Sequence, residues 1–301
     1  MPNFNQILNE VQAAGSAQDL IRRRYIRLLH EETKRNVIVY YSGWLQKNGA
    51  PGVEINDEDK NGFMSVIHEL DRTLGLDLVL HTPGGDLAAT ESLVDYLRAM
   101  FGIDIRVIVP QLAMSAGTMI ACASKQIIMG KASSLGAIDP QIGGIPAHGV
   151  VEEFKRAVAE VKADPACIPI WQPIIARYSP SFIGVCEKAI DWSAQMTRTW
   201  LETAMFKSDN KRKSKINHIL AELGDHAITK SHSRHISAER CKKIGLNVAS
   251  LEDNQALQEA VLSVHHACML TLASTGAVKI IENHKGVAFL KVLLAGANGR
   301  S

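Results

Sequence analysis

Hydrophobic and polar positions alternate between two regimes along this chain. Residues 15–34 (GSAQDLIRRRYIRLLHEETK) place apolar side chains at helical spacing among many charges and predict an amphipathic helix. NVIVYYSG at 36–43 is a β-branched and aromatic run that predicts a strand, and 57–74 returns to the helical pattern after a loop over 44–57. LDLVLHT (76–82) is a short apolar run suited to a buried parallel strand. It ends in Pro83-Gly84-Gly85, and a helix then opens at Asp86 and stops at Gly102. The same unit follows at once: strand 104–110, turn 111–114, helix 115–123, then a further strand over 125–130. Strand, turn and helix in succession predict a parallel sheet with right-handed crossovers.

Beyond residue 144 the pattern becomes mostly helical. Helices are predicted over 150–163, 182–206, 210–223, 236–245 and 252–273, with a proline-rich loop around Pro165, Pro169, Pro173 and Pro180. Short strands are predicted near Leu246–Val248 and over 287–294. No flexible linker separates this half, which reads as a helical elaboration. The division expected is an N-terminal helical segment (1–35), a main α/β domain (36–250) and a C-terminal extension (251–301).

Composition narrows the class of protein. The 301 residues are 46% hydrophobic and 21% charged, which suits a soluble chain with a sizeable core. With 33 basic and 31 acidic side chains the net charge is +2, too balanced to suggest nucleic-acid binding. The run Lys207–Lys215 (KSDNKRKSK) reads as a solvated loop, with an anionic partner as the alternative. The 5 cysteines are dispersed without a CxxC pair, as in a reducing cytoplasm. The start of the chain lacks the regions of a signal peptide, and no apolar run reaches the ~18 residues of a membrane helix. A cytoplasmic location is therefore expected, with peripheral membrane attachment left open. HExxH, clustered Cys/His, GxGxxG and P-loop patterns are absent from the sequence, so neither a metal nor a cofactor is expected.

The chemistry concentrates in the two turns. Gly84-Gly85 between a strand and a helix permits close backbone approach and directs main-chain N–H groups outward at a helix start. Such a turn is either simply tight or an oxyanion hole. Ser115 holds the matching place in the next unit, flanked by Ala113, Ala116 and Gly117. Alone it would read as a helix cap. Adjacent parallel strands bring both turns to one sheet edge, so the glycine pair faces a serine with small neighbours across a cleft.

HTPGGD (81–86), AMSAGTMIA (113–121) and SSLGAIDPQIGG (133–144) resemble successive blocks of the Clp protease and signal peptide peptidase superfamily. Within it, the serine dehydrogenase proteinase family is the best match. The resemblance implies a ClpP/crotonase-like α/β fold, a ββα superhelix with a parallel sheet. It also implies a serine peptidase acting on peptide or protein, and a homo-oligomer. Ser115 would be the nucleophile, with Gly84, Gly85 and Ala116 forming the oxyanion hole. The base does not carry over. Where Clp proteases have a histidine this chain has Asp139, and their aspartate aligns with Ser233, beside His232 and His235. Lys188 resembles the setting of the catalytic lysine in related archaeal membrane-protein peptidases and is the first candidate. His232 with Asp139, or Lys155, are the alternatives. Two other readings stay open: a crotonase-type acyl-thioester enzyme and a catalytically inactive scaffold.

Overall fold

β-Branched apolar runs are fully buried where both sheet faces are covered, and that is how this molecule is layered. The computed structural model describes residues 3–13, 18–224 and 234–293. Its centre is a 7-stranded sheet in the order β10-β5-β3-β2-β1-β11-β12. The strands are β1 (Asn36–Ser42), β2 (Leu76–His81), β3 (Ile105–Val109), β5 (Gln126–Met129), β10 (Val248–Ser250), β11 (Ala277–Asn283) and β12 (Ala288–Val292). From β10 to β1 all neighbours are parallel, and β11 and β12 add antiparallel pairs. The result is the mixed α/β architecture, mostly parallel at its centre, that the repeated units predicted.

One face carries α3 (Glu58–Ile67), α4 (Leu87–Phe101), α5 (Ala116–Cys122), α8 (Phe182–Thr203) and α9 (Arg212–Gly224). Their apolar sides meet Leu78, Leu80, Val107 and Val109 in the larger core. The other face carries α1 (Phe4–Ala13), α2 (Gln18–Thr33) and α11 (Gln255–Ser274), packed on Val37, Val39, Val79 and Ile108. Helix α2 is also fixed by charge, because Arg22 and Arg23 both pair with the buried Glu282 of β11 at 2.5 and 2.7 Å. A small sheet of β4 (Leu112–Ala113), β6 (Ser134–Leu135) and β9 (Ile236–Ser237) extends the Ser115 side. The hairpin β7 (Gln141–Ile142) and β8 (Ile145–Pro146) follows, then α6 (Ala147–Ala163) and α7 (Ile168–Ile175). Helix α10 (Ala238–Lys243) completes the described elements.

Three differences from the sequence reading have local causes. Strand β11 (AVKIIEN) was not anticipated, since Lys279 and Glu282 interrupt its apolar pattern; both are buried and ion-paired. The proline-rich loop contains α7, whose Pro169 lies in the first turn, where a proline removes no helical hydrogen bond. The basic run bonds to itself: Lys215 pairs with Asp209 at 2.8 Å and Arg212 donates to the Lys207 carbonyl at 3.0 Å. Among the described residues no helix is long and apolar enough to cross a membrane.

Candidate active site

The two predicted turns are joined by backbone. Thr82 N–H donates to the Leu112 carbonyl at 3.1 Å, and Met114 N–H donates to the Thr82 carbonyl at 3.0 Å. This pairing brings Gly84 against Ser115. A Cβ on Gly84 would lie 2.6 Å from the Ser115 Cβ, and the glycine has φ +101°. No other residue type fits there.

Ser115 stands at the cap position of α5, but its hydroxyl makes no capping bond. Its φ of 51° and ψ of −117° are sterically costly for a residue with a Cβ. Among the described non-glycine residues, Lys34 alone shares the positive φ. Backbone strain of this kind, about 1–3 kcal/mol, collects at functional sites. The bend is held by Gly117 N–H to the Met114 carbonyl at 2.8 Å and by Met119 N–H to the Ser115 carbonyl at 3.2 Å.

Gly85 is bracketed by a segment that the sequence reading left as loop. Ile55 N–H donates to the Gly84 carbonyl at 2.8 Å, and Asp86 N–H donates to the Ile55 carbonyl at 3.0 Å. This parallel bridge leaves the Gly85 N–H without an acceptor among the described residues. The Ala116 N–H, at the first position of α5, likewise has no acceptor among the described residues. Asp86 caps α4 by accepting from Ala89 N–H at 2.8 Å.

Ser115 opens into a cleft of about 850 Å³. The Pro83–Leu87 turn forms one wall and the Gly143–Gly144 hairpin tip another. Val185, Lys188, Ala189 and Trp192, one face of α8, form a third. Lys188 is the single basic side chain lining the cleft among the described residues, and it is exposed. Glu54 and Asp86 supply its acidic groups.

Neither Lys155 nor Asp139 lines the cleft. Lys155 is exposed on α6 and lines no part of this cleft. Asp139 is buried and lines a neighbouring cavity of about 420 Å³ together with His148 and Arg198. Ile138 and Pro140 line both spaces. His232 lies outside the described residues. His235 lines a separate pocket with Glu222 and Arg240.

His81, at the end of β2, packs on the face opposite the cleft. Its ring packs on Trp44 at 4.3 Å and near Tyr41 and His265 at 5.4 and 5.5 Å. Burial, then the neighbouring His265, hold this imidazole well below the ordinary histidine range. Strand alternation sets this orientation: Leu78 and Leu80 face α4 and α5, so Val79 and His81 face α11. Among the described residues no group of three or more His, Cys, Asp or Glu is placed to hold a metal.

Two proteins of Methanocaldococcus jannaschii, both called uncharacterized, are similar in sequence. The first is 32% identical over 194 residues, 64% of this chain and 60% of its own length. The second is 37% identical over 102 residues, 34% of this chain and 35% of its own. The chain thus spans less than two thirds of either relative. The model of the family described as ClpP-like SDH-type serine proteinase matches residues 6–258. This chain belongs to that ClpP-like family of serine proteinases.

Proposed function

We propose that the chain is a serine peptidase in which Ser115 is the nucleophile. The observation that carries this reading is the strained Ser115 pressed on Gly84, with two unused N–H groups beside it in a lined cleft. Ser115 Oγ attacks a peptide carbonyl carbon. The developing oxyanion is held by the N–H groups of Gly85 and Ala116. Lys188, as the free amine, takes the hydroxyl proton and then gives it to the leaving amine. Water hydrolyses the acyl-enzyme by the same route. A lysine serves as a base only once its ammonium is desolvated. Lys188 is exposed in the single chain, so in this reading bound peptide covers it, as do neighbouring copies in the homo-oligomer that the resemblance implies.

Labelling with a fluorophosphonate probe tests the reading. Covalent modification of the unaltered protein that disappears in Ser115→Ala is expected. Absence of labelling in folded, unaltered protein overturns it. A crotonase-type enzyme, which uses the oxyanion hole without a serine nucleophile, gives that second result. Lys188→Ala, which leaves the fold intact because the side chain is exposed, is expected to slow labelling at least about 100-fold.

A further inference from the structure

The segment that brackets Gly85 is itself held by a buried ion pair from a distant part of the chain. Lys279 of β11 donates to both carboxylate oxygens of Asp59, at 2.6 and 2.8 Å, and to the Glu54 carbonyl at 2.7 Å. Asp59 also accepts from the Tyr40 hydroxyl at 2.7 Å and from the Asn56 N–H at 3.0 Å. The Lys279 side chain is 0% exposed and that of Asp59 2%. Lys279 also lies over the Tyr40 ring, 5.4 Å from its centre. These contacts grip residue 54 and residue 56, on either side of Ile55. Ile55 in turn holds the peptides before and after Gly85, so closely that a Cβ on Gly85 would meet Ile55 N and O at 2.3 Å.

A buried ion pair is a poor source of net stability, because desolvation offsets its Coulomb attraction. What it supplies is a fixed position, since each partner is satisfied in one geometry only. Here the thing fixed is a short piece of backbone that, at Ile55, clamps the glycine turn through both of its peptide groups.

We propose that Lys279, Asp59 and Tyr40 are positioning residues for the oxyanion hole: they lock segment 54–56 where it keeps the Gly85 N–H aimed at the carbonyl oxygen of an acyl group on Ser115. The assignment rests on the peptidase reading above. None of the three side chains lines the cleft: Lys279 and Asp59 act through Ile55, and Tyr40 also hydrogen-bonds Thr82 at the start of the glycine turn.

The test uses the full chain, a fluorophosphonate probe and the double variant Lys279→Met/Asp59→Asn, which removes both charges and keeps an acceptor for Tyr40 and Asn56. The maximal labelling rate is expected to fall at least about 10-fold, with the half-saturating probe concentration unchanged. Hydrogen exchange at the Ile55 and Asp86 amides is expected to rise about 10-fold, while Arg106 and Gln126 on the far strands keep their rates. Labelling within about twofold of the unaltered protein overturns the assignment. So does a variant whose exchange rises uniformly over the sheet, which marks a purely structural role. No labelling of the unaltered chain overturns the peptidase reading and this assignment with it. If the double variant does not fold, Tyr40→Phe decides. It removes the hydroxyl's hydrogen bonds to Asp59 and Thr82 and no charge, and labelling about threefold slower is expected, whereas an unchanged rate overturns the assignment.

Discussion

The two ends of the parallel strands are built on opposite terms. At the starting edge a buried carboxylate is answered by paired cations. Asp77, fully buried on β2, accepts from Arg35 at 2.8 Å and from Arg106 of the next strand at 2.7 and 2.6 Å. Asp104 pairs with Arg35 at 3.0 Å and with Lys125. At the finishing edge the same strands lead into Gly84-Gly85 and Ser115, where two N–H groups lack an acceptor among the described residues and a serine holds a positive φ. The starting edge is complete by itself. In the peptidase reading, a substrate carbonyl oxygen completes the finishing edge. Sheets of this kind bind ligands at the carboxyl ends of their strands, and here the contrast in hydrogen-bond satisfaction singles out that end.

The contrast can be broken most sharply at Gly84. Gly84→Ala places a methyl 2.6 Å from the Ser115 Cβ in a backbone conformation that only glycine adopts freely. Displacing Ser115 by even about 1 Å is expected to slow fluorophosphonate labelling about 100-fold. Asp77→Asn attacks the other end. It leaves Arg35 and Arg106 without their shared carboxylate and is expected to lower unfolding free energy by about 3 kcal/mol in urea titrations. Labelling per folded molecule should stay within about twofold, because no contact connects Asp77 to the cleft. A large loss of labelling in Asp77→Asn would dissolve the division between the two ends.

A smaller effect is one of pH. Burial, then His266, push His265 down to about 3, and burial, then His30, push His284 down to about 4. Both imidazoles stay neutral in the folded chain below the pH at which the unfolded chain protonates them. Their contribution is therefore complete above about pH 6.5 and is lost progressively as pH falls toward 4 or 3. Between pH 6.5 and 5, His265 alone should account for about 2 kcal/mol. His265→Phe should flatten that slope in denaturant titrations run at both pH values.

The glycine turn and the serine were legible because their signals are local: each is a short motif between a strand and a helix. Lys188 became a candidate by resemblance, and the structure places it on the cleft because α8 crosses over Met119 and Ile138. What the sequence hid were the non-local partners. Ile55 meets Gly85 through backbone atoms alone, 30 positions apart, so no side-chain pattern announces it. Lys279 breaks the apolar pattern of β11, and its pairing with Asp59 makes a buried ammonium tolerable there. His81 showed the limit of position without orientation. LDLVLH is apolar on both sides, so nothing in it tells which face the last residue takes.

The conformation of Ser115 has an evolutionary consequence. Any residue with a Cβ carries the same strain at that φ, and glycine alone relieves it. Ser115→Gly should therefore raise unfolding free energy by about 1 kcal/mol while removing the hydroxyl. Selection for stability alone would erase this serine; a descendant freed from its chemistry would drift toward a firmer fold. In the peptidase reading, retention of the strained residue reflects a demand on the hydroxyl, and its loss in a relative would read as retirement from the reaction rather than as damage to the protein.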